Sequence, residues 1–256
     1  MTGFLDGPHP RAFAHRGWHT DELAGLENTA RAFERAMAEG YRYLETDAHL
    51  TADGTLVAFH DARLDRVTDA VGAIAQLPWA DVQRARIGGR EPIPLLADLL
   101  GDFPDARFNI DAKSDATVRP LVAAIQAAKA EDRVCVASFS DQRLRRLREL
   151  LGPAVAMSLG PRQVMRLVAR ARQFPVVARF GTAVATQVPA RSGMVPVVTP
   201  GFVRTAHRLG LEVHVWTINE AAEMTRLLDL GVDGLMTDRP DLLRDVLRAR
   251  GQWPSP

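Results

Sequence analysis

The fold class follows from the stretch Arg11-Ala-Phe-Ala-His-Arg-Gly17 and from the two segments that come after it. An apolar run ends in polar residues at His15, which is typical of a first strand, and the glycine two residues later lets the backbone turn. Residues 26–39 then carry apolar side chains at helical spacing, and Gly40 follows as a C-cap. A second strand is predicted over 41–50. This order of strand, helix and strand is the opening of a βαβ unit.

The same alternation of strand and helix continues to the end of the chain. Eight strands are predicted, starting near residues 11, 42, 107, 133, 154, 184, 213 and 234, with helices between them. This order over 256 residues predicts a TIM (β/α)8 barrel of the α/β class. The alternative fold is a doubly wound open sheet. Its nucleotide sites require a glycine-rich motif after the first strand, and this sequence lacks that motif.

One long excursion interrupts the barrel pattern after the second strand. The Asp-Gly dipeptide in 51–55 predicts a tight hairpin with a return strand over 56–59, and residues 62–92 contain several glycines and prolines. Loops of this length usually carry function or cover a site. Since no low-complexity linker marks a boundary, we expect residues 1–256 to form a single domain with an insertion at about 55–92.

Composition excludes several classes of protein. The 32 Lys+Arg and 31 Asp+Glu leave a formal net charge of +1, so no overall field indicates a nucleic-acid partner. The single cysteine, Cys135, lies in an apolar run, and we expect a buried side chain without an intrachain disulfide. The first ten residues do not resemble a secretory signal, and no apolar stretch approaches the roughly 20 residues that cross a bilayer. We expect a cytoplasmic protein without a transmembrane segment, and its oligomeric state stays open.

Carboxylates gather at the ends of two predicted strands. Glu45 and Asp47 are two residues apart, so they project from one face near the carboxyl end of the strand, where a barrel has its mouth. Asp111 and Lys113 repeat this spacing on the next barrel strand. Carboxylates placed there must be paired or bind a cation, and three oxygen donors favour Mg²⁺ or Ca²⁺ over Zn²⁺. The pattern indicates one divalent cation held by these three carboxylates.

Cationic and titratable groups complete the predicted site. Arg16 has a planar guanidinium that can bind two phosphate oxygens, and Lys113 adds positive charge, so a phosphodiester is the expected ligand. His15 and His60, from different strands, can divide base and acid roles near neutral pH. Any one of these groups alone is more often a salt-bridged or core residue. Their joint occurrence at the strand ends, where barrel enzymes have their sites, favours catalysis.

Other polar and aromatic residues give weaker signals. Trp216 and His214 share a face of the seventh strand, which indicates a pocket wall and an interior packing residue, respectively. Phe139, just past the fourth strand, is either an apolar wall or part of a helix-capping contact, and we count it with Trp216 among the substrate-binding residues. Asp238 is interpreted as a loop or N-cap residue rather than a catalyst. No role is assigned to the remaining histidines, which are His9, His19, His49 and His207.

Seven short motifs span nearly the whole chain: His15-Arg16-Gly17, Glu27-Asn28-Thr29, Glu45-Thr-Asp47, Thr51-Ala-Asp-Gly54, His60-Asp61, Val215-Trp-Thr217 and Thr237-Asp238. By these motifs and their order, the sequence resembles the glycerophosphodiester phosphodiesterase family. The resemblance implies a TIM barrel with an inserted segment after the second strand. It also implies hydrolysis of a glycerophosphodiester to sn-glycerol 3-phosphate and an alcohol, with a divalent cation, Ca²⁺ or Mg²⁺.

The resemblance further implies a role for each candidate residue. Carried over by position, these roles are metal ligand for Glu45, Asp47 and Asp111, phosphate binding for Arg16 and Lys113, and acid–base catalysis for His15 and His60. Our hypothesis is that His60 protonates the leaving alkoxide while His15 assists attack. The sequence departs from the family's usual Glu-x-Lys at Asp111, which is one methylene shorter and puts the metal contact in question. The segment 19–26 is also longer than usual, which puts the shape of the mouth in question.

Three other functions remain open at this point. The first is a lysophospholipase D-type phosphodiesterase acting on a lipid-linked substrate, which an apolar groove formed by 62–92 would favour. The second is a barrel that binds a phosphoglycerol ligand without turnover. The third is a carbon–oxygen lyase or isomerase with Lys113 as base, which leaves the two histidines unexplained.

Overall fold

A computed structural model describes residues 3–177 and 180–253. Its strands are β1 (Arg11–His15), β2 (Tyr43–Leu50), β3 (Leu56–Ala58), β4 (Arg86–Ile87), β5 (Glu91–Pro92), β6 (Arg107–Ala112), β7 (Val134–Ala137), β8 (Ala156–Met157), β9 (Ala185–Pro189), β10 (Arg191–Ser192), β11 (Val195–Pro196), β12 (Glu212–Trp216) and β13 (Gly234–Thr237). Its helices are α1 (Ala30–Ala38), α2 (Trp79–Val82), α3 (Leu96–Asp102), α4 (Val118–Ala127), α5 (Asp141–Leu151), α6 (Pro161–Ala171), α7 (Pro200–Arg208), α8 (Ala221–Asp229) and α9 (Pro240–Ala249). Within these ranges, no helix has the length and apolar character needed to cross a membrane.

Eight parallel strands form a nearly closed barrel. Their order is β8, β7, β6, β2, β1, β13, β12 and β9, so each barrel strand lies beside the next one along the chain, and the last strand, β13, pairs with the first, β1. The two ends of this sheet meet through a parallel bridge between Ser158 and Ala185. The Val184 amide also donates to the Met157 carbonyl at 3.0 Å. The TIM-barrel prediction is confirmed, and each barrel strand starts within about two residues of its predicted position.

The first helix begins later than the sequence predicts. Asn28 has a φ of 58°, in the left-handed region, so the helical pattern cannot run continuously from Leu26. Helix α1 starts at Ala30, and the hydroxyl of its N-cap Thr29 accepts a backbone amide hydrogen bond of 3.1 Å. The Asn28 side chain instead accepts a hydrogen bond of 2.8 Å from the Thr46 hydroxyl on β2. Tertiary contact with the barrel therefore decides where this helix starts.

The excursion after β2 is a small layer with its own apolar core. Strand β3 pairs antiparallel with β2, as the Asp-Gly dipeptide predicts, and β4 and β5 form a second short hairpin. Phe59, Leu64, Ile74 and Ile87 are buried together in a cluster separate from the barrel core. The stretch predicted to be irregular is thus packed against the barrel by its own side chains.

The main core lies between the barrel strands and the helices around them. A smaller cluster fills the barrel near the amino ends of the strands, where Phe4, Phe13 and Tyr43 are packed together. The Tyr43 hydroxyl donates to the Phe4 carbonyl at 2.9 Å. Cys135 is buried in this cluster, and its burial raises the pKa of the thiol to about 12. The packed bottom leaves the carboxyl end of the barrel as the place for a ligand.

Candidate active site

Strand register brings the predicted site residues together. His15 at the end of β1 lies beside Glu45 on β2, and Asp47 on β2 lies beside Asp111 on β6. The chain then turns at Gly17, whose φ is 87° and where a Cβ would lie 2.8 Å from a side chain of α1. A larger residue at this turn would push the first strand end out of place.

A cavity of about 160 Å³ opens at the carboxyl ends of these strands. The nine residues that the sequence indicated all line it: His15, Arg16, Glu45, Asp47, His60, Asp111, Lys113, Phe139 and Trp216. Asn109, Gln187 and Met236 complete part of the wall. The structure thus brings every sequence-predicted site residue to one place, although their chemical roles stay predictions.

Three carboxylates and one ammonium form a charged floor. Glu45, Asp47 and Asp111 are 5%, 2% and 6% exposed. The Lys113 ammonium lies 2.7 Å from Asp47 Oδ1 and 2.8 Å from Asp111 Oδ2. Burial, followed by repulsion from Asp47, raises the pKa of Glu45 well above its ordinary value. Burial also raises the pKa of Asp111, although the Lys113 charge opposes it. The positive charge of one ammonium is therefore too small to neutralise the three carboxylates.

Two carboxylate oxygens of the floor are buried without a hydrogen-bond partner, namely Glu45 Oε2 and Asp111 Oδ1. Unpaired buried acceptors are costly, and anionic oxygens are the donors that Mg²⁺ and Ca²⁺ prefer. The donor chemistry therefore fits a hard divalent cation. No three His, Cys, Asp or Glu side chains within the described residues already converge as a metal site. The Lys113 ammonium lies between two of the three carboxylates instead.

His15 is held by residues from the far end of the chain. Its Nδ1 lies 2.5 Å from Asp238 Oδ1, and His19 Nε2 lies 3.5 Å from the same oxygen. Asn219 donates to the second Asp238 oxygen at 3.0 Å. Burial would raise the pKa of Asp238, but the hydrogen bond from His15 and the nearby His19 ring hold it well below its ordinary value. The ionised carboxylate accepts the Nδ1 proton, which leaves Nε2 of His15 3.7 Å from a Glu45 oxygen.

Asp238 lies in the loop between β13 and α9, as one of its two interpretations has it, and the N-cap of α9 is Arg239. Its carboxylate orients His15 instead, a contact across 223 residues of sequence. Local sequence could not show this, because the pairing depends on β1 and β13 being neighbours in the closed barrel.

His60 has a matching arrangement. Its Nδ1 lies 2.6 Å from Asp61 Oδ1, and Arg66 donates to the other oxygen of Asp61 at 2.6 Å. The Arg66 hydrogen bond is the largest cause that lowers the pKa of Asp61 to about 2. His49 Nε2 lies 3.0 Å from the His60 carbonyl and steadies its backbone. Both candidate catalytic histidines therefore have a carboxylate on Nδ1, and Nε2 is the nitrogen left for chemistry.

Arg16 is positioned by Glu27, whose Oε1 accepts from Arg16 Nη1 at 3.0 Å. Arg66 donates to both oxygens of Glu27, at 2.7 and 2.9 Å, and so joins the Arg16 and His60 groups. Burial would raise the pKa of Glu27, but the Arg66 hydrogen bond and the Arg16 charge lower it. The Arg16 Nε is buried without a hydrogen-bond partner. An unpaired guanidinium donor in this position suits an anionic ligand.

Comparison with known proteins assigns the chain to a family. The profile described as the glycerophosphoryl diester phosphodiesterase family matches residues 15–242. The chain belongs to this family. A relative from Mycobacterium tuberculosis, described as a probable glycerophosphodiester phosphodiesterase 2, is 42% identical over 248 residues and is matched over 94% of this chain and 92% of its own length. By family membership, the protein is a phosphoric diester hydrolase.

Solved structures share the barrel of this phosphodiesterase. A putative glycerophosphoryl diester phosphodiesterase from Silicibacter pomeroyi superposes with a TM-score of 0.81 at 24% identity, covering 99% of this chain and 100% of that chain. A phosphodiesterase from Oleispira antarctica, in complex with the product sn-glycerol-3-phosphate, has a TM-score of 0.74 at 21% identity, covering 94% and 97%. Both likenesses show the fold. Enzymes of the family generally depend on a divalent metal.

Sequence reasoning recognised some motifs of this phosphodiesterase without giving them roles. Asp61, Glu27 and Asn28 lie in motifs that support the family resemblance. The structure shows what each one contacts, since Asp61 holds His60, Glu27 holds Arg16, and the Asn28 amide lies 3.4 Å from an Asp47 oxygen. Each is a positioning residue behind a cavity-lining side chain. The signal was present in the motifs, but the partner of each lies elsewhere in the chain.

One side of the mouth is apolar. Phe139 is 71% exposed, and its ring meets that of Trp216 edge to face with centroids 5.9 Å apart. From the sequence, Phe139 is either an apolar wall of the pocket or part of a helix-capping contact, and the structure places it in the pocket wall. His214 is fully buried and bonds to Glu212 at 2.9 Å, which agrees with its interpretation as an interior residue. We call the seven titratable or charged lining residues the charged half of the mouth, and Ala137, Phe139, Trp216 and Met236 the apolar half.

Proposed function

We propose that this phosphodiesterase hydrolyses a glycerophosphodiester to sn-glycerol 3-phosphate and an alcohol, with one divalent cation, Ca²⁺ or Mg²⁺, and with acid–base catalysis by His15 and His60. One observation carries the proposal. The two histidines, each with a carboxylate on Nδ1, line the same cavity as two cationic side chains and three buried carboxylates. Hydrolysis of a phosphodiester needs these three functions, namely proton transfer, anion binding and stabilisation of charge in the transition state.

In this proposal, Arg16 and Lys113 bind the phosphate. The unpaired Nε of Arg16 supports this role, because a phosphate oxygen would supply the acceptor that it lacks. Burial would lower the pKa of Lys113, but Asp47 and Asp111 raise it and so keep the ammonium charged. A charged ammonium suits an anion and not the base of a lyase or isomerase.

Glu45, Asp47 and Asp111 would hold the cation. The unpaired, buried oxygens of Glu45 and Asp111 support this assignment. A cation would also neutralise the negative charge that the single Lys113 ammonium leaves on the three carboxylates. When bound, the cation withdraws charge from the phosphate as the transition state forms. Asp111 is shorter than the glutamate usual in the family, so its contact with the ion distinguishes this chain.

His15 assists the attack and His60 protonates the leaving alkoxide in the proposed mechanism. The carboxylates of Asp238 and Asp61 fix each imidazole with the proton on Nδ1, so each Nε2 can accept or donate a proton. The same base serves attack by water and attack by a hydroxyl of the substrate through a cyclic phosphate. Both routes end in the same two products.

The decisive experiment measures release of sn-glycerol 3-phosphate from glycerophosphocholine and glycerophosphoethanolamine, before and after EDTA, with Mg²⁺, Ca²⁺ or Mn²⁺ added back. We expect EDTA to abolish activity and one of the ions to restore it. His15→Ala and His60→Ala should each lower kcat by about 10²–10⁴-fold. His207→Ala is the matched control, because His207 is exposed and pairs with Asp233 outside the cavity.

Each contrary result removes a defined part of the proposal. Activity that EDTA leaves unchanged would contradict the cation. Full activity in either active-site histidine variant would contradict the acid–base assignment. Binding of the diester without product release would favour the non-catalytic phosphoglycerol-binding barrel.

The proposal also includes a cytoplasmic location and a single domain over residues 1–256. Contacts between the 62–92 stretch and the rest of the chain support the single domain, since the Ala52 amide just after β2 donates to the Leu77 carbonyl at 2.9 Å and Arg66 lies 2.7 Å from Glu27. Fractionation of the native host tests the location, and a single cooperative unfolding transition tests the domain.

A further inference from the structure

A second cavity, of about 220 Å³, opens from the apolar half of the mouth. It shares Ala137, Phe139, Gln187 and Trp216 with the reaction cavity, so the two cavities adjoin at these residues. We call this second cavity the annex. Its further wall comes from the two residues after β8, from β9 and from the start of α6: Ser158, Leu159, Val188, Pro189, Pro161 and Val164.

The annex is lined by uncharged side chains. Three of them are polar, and two of these are already engaged within the protein. The Ser138 hydroxyl donates to the Ala112 carbonyl at 2.9 Å, and the Gln187 amide donates to Asn109 at 2.7 Å. The wall offers neither a carboxylate for a cationic head group nor a cation for an anionic one. Its chemistry suits hydrocarbon.

The rim of the annex exposes aromatic surface that a folded protein usually covers. Phe139 is 71% exposed although it stands at the mouth of a site, and Trp216 packs against it edge to face. Leu159 and Val188 line the interior and are 4% and 1% exposed. Exposed aromatic surface that leads into a buried apolar lining is the arrangement of a ligand-binding cleft.

We propose that the annex binds an aliphatic chain of the substrate, joined to the phosphodiester through either the alcohol or the glycerol. This inference rests on the proposed function, since the chain must enter beside a bound phosphodiester. A lysophospholipase D-type enzyme needs an apolar groove for its lipid chain, and this inference places that groove in the annex. The sequence suggested 62–92 for that groove, but Leu64, Ile74 and Ile87 from that stretch are buried in a cluster of their own.

The test uses two series of soluble substrates with the full chain and its cation. In one series, sn-glycerol 3-phosphate is esterified to methanol, butanol, hexanol, octanol or decanol. In the other, glycerophosphocholine carries an ether chain of the same lengths on the glycerol. All substrates are kept below their micelle-forming concentrations. We expect kcat/KM to rise about two- to fourfold per methylene in one series until the annex is full. The series that shows the rise identifies where the chain is attached.

Two valine variants separate the annex from general damage to α6. Val164 lines the annex, whereas Val168 lies one turn further along the same helix, and both are half-buried against the core. Val164→Gln should flatten the dependence of kcat/KM on chain length, and Val168→Gln should retain it. Thermal unfolding of both variants checks that their stabilities are comparable.

The outcomes distinguish this inference from the function on which it rests. A protein that hydrolyses none of these substrates, the methyl ester included, contradicts the proposed function itself. Hydrolysis of the methyl ester with no chain-length dependence in either series overturns the annex alone. An equal loss of the dependence in the Val164→Gln and Val168→Gln proteins also overturns it, because the chain would not be contacting the annex wall.

Discussion

The carboxylates in the charged half of the barrel mouth and the Phe139 ring in the apolar half reverse the burial that their chemistry would ordinarily produce. In the charged half, Asp47 is 2% exposed and Glu45 is 5% exposed. In the apolar half, Phe139 is 71% exposed. Charged groups are usually solvated and large apolar groups are usually covered. The buried carboxylates and the exposed ring are therefore both energetically unfavourable in the absence of a ligand. A ligand with a phosphate and an apolar portion would relieve both at once.

The contrast separates two tasks of the site. The charged half holds its groups rigidly through ion pairs and hydrogen bonds, which suits chemistry that must be aligned. The apolar half offers surface with little directional bonding, which suits selection of a substrate by shape and burial. We therefore expect changes in the charged half to lower kcat and changes in the apolar half to raise KM.

Among the changes that test this contrast, the largest effect is expected from Asp238→Asn, which removes the charge that supports His15 and leaves the imidazole itself in place. We expect kcat to fall about 10²-fold with little change in KM, because the imidazole loses the carboxylate that fixes its Nδ1 proton. Steady-state kinetics on glycerophosphocholine measure both constants. Asp241→Asn is the control, since Asp241 pairs with Arg239 outside the cavity. A wild-type kcat in Asp238→Asn would show that the charged half does not depend on this alignment.

A smaller effect is expected from Asp111→Asn, which keeps the size of the side chain and removes its charge. The cation concentration for half-maximal activity should rise about tenfold, because one anionic donor is lost from the floor. Titration of EDTA-treated protein by activity and by calorimetry measures this shift. Asp115→Asn serves as the comparison, because Asp115 pairs with Arg143 on the surface. An unchanged titration would exclude Asp111 as a ligand.

In the apolar half, Phe139→Ala should raise KM about tenfold and leave kcat within about twofold for a substrate that reaches the ring. The exposed position of Phe139 means that its truncation should cost little stability. Phe174→Ala removes another exposed ring, 60% accessible and remote from the described cavities, and should leave both constants unchanged. If Phe139→Ala instead lowered kcat with KM unaltered, the division of tasks between the halves would be wrong.

The smallest effect on activity is expected at the bottom of the barrel, from Glu212→Gln. Glu212 accepts hydrogen bonds from Arg11 at 2.8 Å and from His214 at 2.9 Å. Burial would raise its pKa, but the His214 and Arg11 contacts lower it to about 2. Because the folded pKa is depressed, this stabilisation is present above pH of about 4.3 and is lost as pH falls toward about 2.

Urea unfolding of wild type and Glu212→Gln at several pH values measures this contribution. We expect the variant to be about 2 kcal/mol less stable at neutral pH and the difference to vanish on acidification, with kcat/KM of the folded variant unchanged. Glu223→Gln is the surface control, since Glu223 pairs with Arg226 in solvent and should matter by less than about 1 kcal/mol. A difference that persists at low pH would rule out the ionised pair as its cause.

Much of the fold could be predicted because strands and helices leave local periodic patterns. The eight barrel strands and the hairpin at 51–55 came from such patterns. The start of the first helix could not be predicted from local pattern, because Asn28 is left-handed and its side chain accepts a hydrogen bond from Thr46 on another element. The short elements of 62–92 were not predicted either, because strands and helices of two to four residues are too short to show a hydrophobic periodicity.

The candidate site divides in the same way. Residue type and position at strand ends sufficed to choose the nine side chains that line the cavity. The carboxylates behind His15 and His60 were not assigned these roles, although Asp61 is the next residue after His60. A catalytic role was visible in the histidines, whereas a positioning role becomes visible only when the contact is seen.

Local pattern and residue type are enough to specify the α/β alternation, the family and the chemical groups available at the mouth. The partners of those groups depend on how the chain folds in three dimensions. Closure of the barrel brings Asp238 to His15 across 223 residues, and the annex is assembled from β7, β9, β12, α6 and the segment after β8. Contacts of this kind arise from strand order and barrel curvature, and no short stretch of chain contains them.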